Sequence, residues 1–285
     1  MANCSLVSCK IGSRKRNRKD WPCAGILFLL SYRRLNSAKG QLRFAERREL
    51  SPKIIVEMTP FADGIWVDNG PVRILGMRLT TAMTVLRLRD GGLLLHSPLP
   101  LTAERRAAVE ALGPVAHLYA PSCYHDLRIG EWAAAFPSAR LHAPPGLVKA
   151  RGDLRIDRVI GSGPEPAFLN VVDELLIEGF RLEETVLIYR PTRTLVVADL
   201  VHNVGRPQDW WTQLYTRLMG FYDGVALSRM IRWAAFYDRS AARRSIDELL
   251  TRPFDSLIVG HGTPLTTGGR EAIAKAFTWL PAVSR

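Results

Sequence analysis

The segment Ser256–Gly262 constrains the fold more than any other stretch of this chain. Its apolar, β-branched run predicts a short buried strand, which ends in His261 between two glycines. The glycines let the backbone turn sharply and keep other side chains out of the way. We therefore expect His261 at the rim of a sheet, where an imidazole serves as a metal ligand or an acid–base group. The common alternative is a hydrogen-bonded structural histidine.

A second apolar strand ends in an acid. Thr194–Leu200 is apolar up to Asp199, and Thr185–Arg190 before it is also strand-like, so the turn at Pro191–Arg193 predicts a hairpin. A carboxylate after a buried run is costly unless it is paired, hydrogen-bonded or bound to a metal. Asp199 and His261 thus predict a carboxylate and an imidazole at strand ends, ligands suited to zinc, iron or manganese.

The order of parts resembles the metallo-β-lactamase superfamily. An early hairpin over residues 64–75, with its turn at 68–71, precedes strands at 81–88 and 93–96, a helix, and a strand at 115–119. In that superfamily the aspartate after a late strand bridges two metals, and the Gly-His-Gly histidine ligates one of them. Asp199 and His261 match these positions. The resemblance implies an α/β fold, a four-layer αββα sandwich of the metallo-β-lactamase type.

The main metal motif of the superfamily, His-x-His-x-Asp-His, is altered in this sequence. Ser122 and Tyr124 stand in place of its first two histidines. Asp126 matches the aspartate, Leu127 replaces the last histidine, and Glu184 occupies about the place of a further ligand histidine. The resemblance therefore does not imply the usual two-metal centre and its hydrolytic mechanism.

A closer resemblance is carried by residues 61–66, 84–88, 95–98, 125–132, 143–147 and 198–203. Taken together, these segments are similar to an uncharacterised branch of the superfamily, domain of unknown function 4336, from about residue 58 to the end. Because this branch has no agreed function, the resemblance implies the fold and not an activity.

We expect one divalent metal, which is zinc, iron or manganese, bound by Asp199, His261 and either His125 or His202. His125 follows a strand and lies in a loop at the edge where the other strands end. His202 comes three residues after Asp199 and faces the same point if the chain turns there.

With Asp126 or Glu184 as general base, such a centre predicts an atypical, mononuclear, metal-dependent hydrolase that acts on a small molecule. The alternative is a metal-free, catalytically inactive protein of the same fold that binds a small ligand or a partner protein. The missing motif histidines motivate this second hypothesis, but the acids and imidazoles at strand ends on one edge make the hydrolase the leading one.

Positive charge is concentrated in residues 1–57. They hold 13 of the 39 Lys and Arg residues but only 4 of the 27 Asp and Glu residues, so the remainder is nearly balanced and predicts no nucleic-acid partner. We expect residues 1–57 to be a basic extension that is disordered or reflects a mis-assigned start, and residues 58–285 to form a metallo-β-lactamase-like domain. A nucleic-acid tail, an export signal and a membrane-surface anchor are the alternatives for the extension.

The remaining patterns are less specific. Cys123 is the only one of the four cysteines beyond residue 57, and no disulfide or zinc spacing is present, which favours a cytoplasmic location. No apolar run reaches the length of a membrane span. Capping signals predict helices at 103–112, 229–237, 241–250 and 270–279. The aromatic segment Asp209–Tyr222 predicts a substrate wall or, more commonly, an interior or dimer-interface helix. His117 and His142 are interpreted as structural.

Overall fold

The computed structural model describes residues 58–282, and the prediction for residues 1–57 lies outside them. The described strands are β1 (Thr59–Ala62), β2 (Ile65–Ile74), β3 (Met77–Arg87), β4 (Leu93–His96), β5 (Val115–Tyr119), β6 (Arg140–Ala143), β7 (Arg158–Val159), β8 (Val172–Leu176), β9 (Thr185–Tyr189), β10 (Thr194–Val196) and β11 (Ser256–Ile258). The α-helices are α1 (Ala103–Glu110), α2 (Ile129–Ala135), α3 (Pro145–Ala150), α4 (Trp210–Met219), α5 (Arg229–Ala234), α6 (Arg239–Thr251) and α7 (Gly269–Ala276).

The strands form two sheets. The larger contains β1 to β7 in chain order, antiparallel as far as β4 and parallel from β4 to β7. The smaller has the order β11-β10-β9-β8, in which β10 and β11 run parallel and Val196 is opposite Ile258. Because these two strands run in the same direction, the segments that follow them, which carry Asp199 and His261, emerge at one edge of the sheet.

Three hydrophobic cores separate four layers. Between the sheets, Leu86 and Leu94 of the larger sheet share a core with Leu187 and Ile258 of the smaller one. Alternate residues of β3 point the other way, because successive side chains of a strand face opposite sides. The outer face of the larger sheet packs on residues of α1, α2 and α3. The outer face of the smaller sheet packs on residues of α6 and α7. This arrangement confirms the predicted αββα sandwich.

The predicted turn at residues 68–71 is wrong. β2 runs through it without a break, and the chain reverses instead at Leu75 and Gly76, which both have positive φ. Pro71 is tolerated inside this strand because β1 pairs with β2 only up to Val67. The missing N–H of Pro71 therefore lies at an edge of the sheet.

The predicted helices are present with shifted ends. α1 begins after Thr102, whose side chain accepts a hydrogen bond from the N–H of Arg105. α6 begins at Arg239 and is capped by Asp238 rather than by Ser240. The carboxylate of Asp238 accepts from the N–H of Ala241, and an aspartate in this position also complements the helix dipole. None of the helices in residues 58–282 is long and apolar enough to cross a membrane.

Candidate metal centre

Three side chains from both sheets meet at the edge where β5, β10 and β11 end. Nε2 of His125 lies 3.4 Å from one carboxylate oxygen of Asp199, and Nε2 of His261 lies 3.4 Å from the other. One ligand atom from each of the three residues lies within 4.8 Å of the others. The structure therefore brings together three of the four predicted metal ligands.

Each imidazole is held at its second nitrogen. Nδ1 of His261 lies 2.8 Å from the carbonyl oxygen of Thr80, which only accepts, so this nitrogen donates and Nε2 of the neutral ring keeps its lone pair. Nδ1 of His125 lies 2.5 Å from the hydroxyl of Ser97. When Nδ1 donates to that hydroxyl, Nε2 of His125 also presents a lone pair towards Asp199. Support of this kind orients the histidine ligands of metal sites.

The residues present fit a divalent ion. Within the described part of the chain, both Nε2 atoms are buried and have no hydrogen-bond partner. Their 3.4 Å separations from the carboxylate, each to a different oxygen of Asp199, exceed a charge-assisted hydrogen bond, so the carboxylate does not occupy either nitrogen as a hydrogen-bond partner would. A carboxylate and two imidazoles are a donor set that zinc, iron and manganese accept.

The charges of the centre favour a cation. Burial raises the pKa of Asp199, but His125 and His261 lower it by more than burial raises it. The pKa of Asp199 therefore lies well below its ordinary value. Burial lowers the pKa of His261, whereas its contacts with Asp199 and Thr80 raise it above the ordinary value on balance. A metal and a proton thus compete for His261, as they do at protein metal sites in general.

Glu184, predicted as a general base, lies beneath the backbone that carries Asp199. It is fully buried, and its two carboxylate oxygens accept hydrogen bonds of 2.8 Å from the N–H groups of Ala198 and Asp199. Burial, followed by the charge of Asp199, raises the pKa of Glu184 to about 8. Because backbone groups occupy both oxygens, this geometry suits a residue that positions Asp199.

Asp126, the other predicted base, is also engaged. Its carboxylate pairs with Nη1 of Arg151 at 2.7 Å, and its carbonyl oxygen accepts from the N–H of Ile129 at the start of α2. These contacts fix the loop that presents His125. The structure does not include Asp126 in the group formed by His125, Asp199 and His261.

His202 lies beside the centre without joining the three ligands. Its ring is 5.4 Å from that of His261 and 5.7 Å from that of Phe221, and its Nδ1 is buried without a hydrogen-bond partner among the described residues. Burial, together with the charge of His261, lowers the pKa of His202 to about 3. His202 is therefore a neutral imidazole at the side of the site.

Sequence reasoning missed three residues that shape the centre: Thr80, Ser97 and Ser122. The hydroxyl of Ser122 accepts hydrogen bonds of 3.3 Å from the N–H groups of Tyr124 and His125, so it stabilises the turn that contains His125. Ser97 has a φ of 55°, an uncommon value for a residue other than glycine. Residues 95–98 are among the segments that carry the family resemblance. The sequence does not indicate the contact of Ser97, because its partner His125 lies 28 residues further along the chain.

A second cluster, His117, His142 and Glu165, is also close enough to surround an ion. Nδ1 of His117 lies 2.8 Å from Nε2 of His142, and Nη1 of Arg158 lies 3.4 Å from Nδ1 of His142. Arginine only donates, so His142 accepts at Nδ1 and donates from Nε2 to His117. These contacts use the lone pairs that a metal would need. They support the structural interpretation of both histidines.

Comparison with known proteins identifies the architecture. Residues 62–148 match the family described as "Domain of unknown function (DUF4336)". The metallo-β-lactamase from Pontibacter korlensis is 11% identical, with a TM-score of 0.55 over 79% of this chain and 98% of its own. The chain has the metallo-β-lactamase fold. A second such enzyme, from Erythrobacter litoralis, is 12% identical, with a TM-score of 0.55 over 81% of this chain and 100% of its own.

A third similar structure is the metallo-β-lactamase FIM-1 from Pseudomonas aeruginosa in its mono-zinc form. It is 10% identical, with a TM-score of 0.53 over 78% of this chain and 96% of its own. No curated protein matches this sequence. The resemblance to the metallo-β-lactamase superfamily is therefore confirmed for the fold. The resemblance to domain of unknown function 4336 is confirmed over residues 62–148 of the span expected from about residue 58 to the end.

Proposed function

We propose that this metallo-β-lactamase-fold protein is an atypical metal-dependent hydrolase of a small molecule, with one divalent ion bound by His125, Asp199 and His261. One observation carries the proposal: two buried imidazole nitrogens, without hydrogen-bond partners among the described residues, flank the partly buried carboxylate of Asp199, each 3.4 Å from one of its oxygens. FIM-1, which has the same fold, is described with a single zinc.

In this proposal the residues around the centre have different roles. A divalent ion supplies Lewis acidity and activates water at neutral pH. Thr80 and Ser97 contact Nδ1 of His261 and of His125 and orient both rings with Nε2 towards Asp199. His202, a neutral imidazole at the side of the centre, offers a hydrogen bond to the substrate or to water.

Asp126 and Glu184 act in this proposal as positioning residues. Glu184 fixes the two backbone N–H groups at the turn into Asp199, and Asp126 anchors the His125 loop through Arg151. Neither carboxylate is available as a free base in this arrangement. Proton transfer during hydrolysis is then left to water and to the side chains in the centre.

A panel of hydrolysis assays tests the proposal. Full-length protein, reconstituted with zinc, manganese or iron(II), is offered ester, thioester, phosphodiester and lactam substrates. We expect metal-dependent turnover of at least one class, lost in His261→Ala and kept in His142→Gln, which alters the second histidine cluster. Equal turnover by His261→Ala, or none by the metal-loaded wild-type protein, would contradict a hydrolase.

The second candidate function is a ligand-binding protein without catalysis. It is favoured by Ser122, Tyr124 and Leu127, which take the places of motif histidines and leave one set of three ligands in this region. Stoichiometric metal binding without hydrolysis of any substrate class is the result that this candidate predicts.

A further inference from the structure

An apolar face of α4 is exposed beside the tip of the β2–β3 hairpin. The exposed fractions are 74% for Trp210, 37% for Trp211, 43% for Leu214, 59% for Leu218 and 41% for Leu75. At 100° per residue, the four helical side chains fall within about 100° of the helix circumference. We call these five residues the α4–hairpin patch.

The patch is one surface. The indole N–H of Trp211 donates a 3.0 Å hydrogen bond to the carbonyl oxygen of Leu75, and the rings of Trp210 and Trp211 are 5.8 Å apart. On the opposite side of α4, the hydroxyl of the buried Thr212 accepts from the N–H of Arg78 in β3. The helix is thus fixed to the hairpin, and its tryptophans face outwards.

Positive charge surrounds the patch. Arg73 and Arg78 are directly opposite each other across the hairpin, and both are exposed. Like charges in this relation are destabilising unless an anion compensates them. Arg217 and Arg229 are exposed at the other end, where Nη1 of Arg229 bonds the carbonyl oxygen of Leu218.

Acidic residues do not balance these arginines. The segments 69–81 and 205–225 contain two acids, Asp209 and Asp223. Asp209 is the cap of α4 and accepts from the N–H and hydroxyl of Thr212. Asp223 pairs with Arg206 at 2.7 Å. Arg78 also interacts with the charge of Asp209, so two acids face several arginines and the surface combines exposed tryptophan and leucine side chains with an excess of positive charge.

We propose that the α4–hairpin patch docks this protein on an anionic lipid bilayer. Tryptophan prefers the interface between water and hydrocarbon, leucine side chains enter it, and arginines pair with lipid phosphates. A second copy of the chain suits the patch less well. The five side chains expose on the order of 500 Å², against about 800 Å² that each partner buries in a standard interface. Self-association would also bring like charges together.

A row of aromatic rings connects the patch with the candidate metal centre. The rings of Trp211, Tyr215, Phe221 and His202 follow one another at centroid separations of 6.1, 6.4 and 5.7 Å. This row leads from the patch to the side of His261. A lipid surface at the patch thus lies at one end of this row, and the candidate metal centre lies at the other.

Vesicle binding by the full-length protein tests the proposal. We compare sedimentation with phosphatidylcholine vesicles and with vesicles that also contain phosphatidylglycerol. The patch variant carries Trp210→Ser and Leu218→Ser, and the control is Leu169→Ser, which is 66% exposed outside the patch. We expect wild type and control to bind the anionic vesicles, binding to fall with salt, and the patch variant to bind at least about tenfold more weakly.

Brominated lipids identify the residues that enter the bilayer. We expect them to quench wild-type tryptophan fluorescence and to quench it less in Trp210→Phe, because bromine acts only on indoles in the hydrocarbon region. Three results would overturn the proposal. These are no binding to anionic vesicles, binding that the patch variant retains in full, and a concentration-dependent dimer that the patch variant dissociates while vesicles remain unbound. Equal thermal unfolding of the variants excludes a folding defect.

Discussion

The hydroxyl of Ser97 is expected to control metal affinity, whereas the backbone conformation of Ser97 is expected to affect stability alone. Ser97 is buried, its hydroxyl lies 2.5 Å from Nδ1 of His125, and its backbone has a φ of 55°. Ser97→Ala removes the hydroxyl and keeps a side chain in this left-handed conformation. Ser97→Gly removes the hydroxyl and also relieves the backbone, because glycine adopts positive φ without a steric penalty.

The two variants have different expected stabilities and the same expected affinity. Loss of the hydroxyl leaves Nδ1 of His125 without its partner, which costs about 1–3 kcal/mol of the free energy of unfolding in Ser97→Ala. Ser97→Gly regains about 1 kcal/mol of that loss through the relieved φ. Because His125 is no longer oriented in either variant, we expect zinc affinity to fall about 10- to 100-fold in both.

Zinc affinity is measured by competition with a chromophoric chelator, and stability by urea unfolding of the metal-free protein. Ser162→Ala, an exposed serine in the loop after β7, is the control and should match wild type in both assays. Unchanged zinc affinity in both Ser97 variants would refute the reasoning. An affinity loss in Ser97→Ala that Ser97→Gly fully restores would place the effect in folding and would refute it too.

Two further predictions concern stability, and a third concerns zinc affinity. Burial, followed by the charge of His117, lowers the pKa of His142 to about 2, whereas an unfolded histidine takes up a proton below about pH 6.5. The free energy of unfolding of the wild-type protein therefore falls as the pH falls below about 6.5. In urea titrations between pH 6.5 and 4, the slope of this free energy against pH should be smaller in His142→Gln by up to about 1.4 kcal/mol per pH unit. Equal slopes in the two proteins would contradict the assignment. Arg105→Ala should lower the free energy of unfolding by about 3–5 kcal/mol, because it leaves the buried carboxylate of Asp68 without its partner. Arg106→Ala breaks an exposed pair with Glu110 and should lower the free energy of unfolding by less than about 1 kcal/mol. Similar losses in the two urea curves would argue against a buried pair. Gly262→Ala should displace His261 and lower zinc affinity, because its Cβ would overlap the carbonyl oxygen of Asn203, whereas Gly268→Ala meets only the strain of a positive φ and should bind zinc like wild type.

The sequence located the strand ends well because the signals are local. Asp199 and His261 each follow an apolar run, and parallel β10 and β11 bring them to one edge. The choice between His125 and His202 depended on a loop whose path is set by distant partners. The N–H of Cys123 donates to the carbonyl oxygen of Leu182, far along the chain, and this contact helps to direct His125 towards Asp199.

The role of Glu184 and the position of the first hairpin turn could not be predicted from local sequence. Whether a carboxylate faces a substrate or its own backbone depends on packing, and Glu184 is buried against the N–H groups of Ala198 and Asp199. Residues 68–71 have a composition typical of a turn. They stay extended because each of them has a partner in β3, from Asp68 opposite Met83 to Pro71 opposite Thr80.

Metal content tests the central claim most directly. Untagged full-length protein, purified without added metal, is compared with His261→Ala and with His142→Gln by elemental analysis. The account predicts about one equivalent of zinc, iron or manganese in wild type and His142→Gln, and a loss of that metal in His261→Ala. Metal retained by His261→Ala, metal lost only in His142→Gln, or no metal bound by wild type even after reconstitution would contradict it.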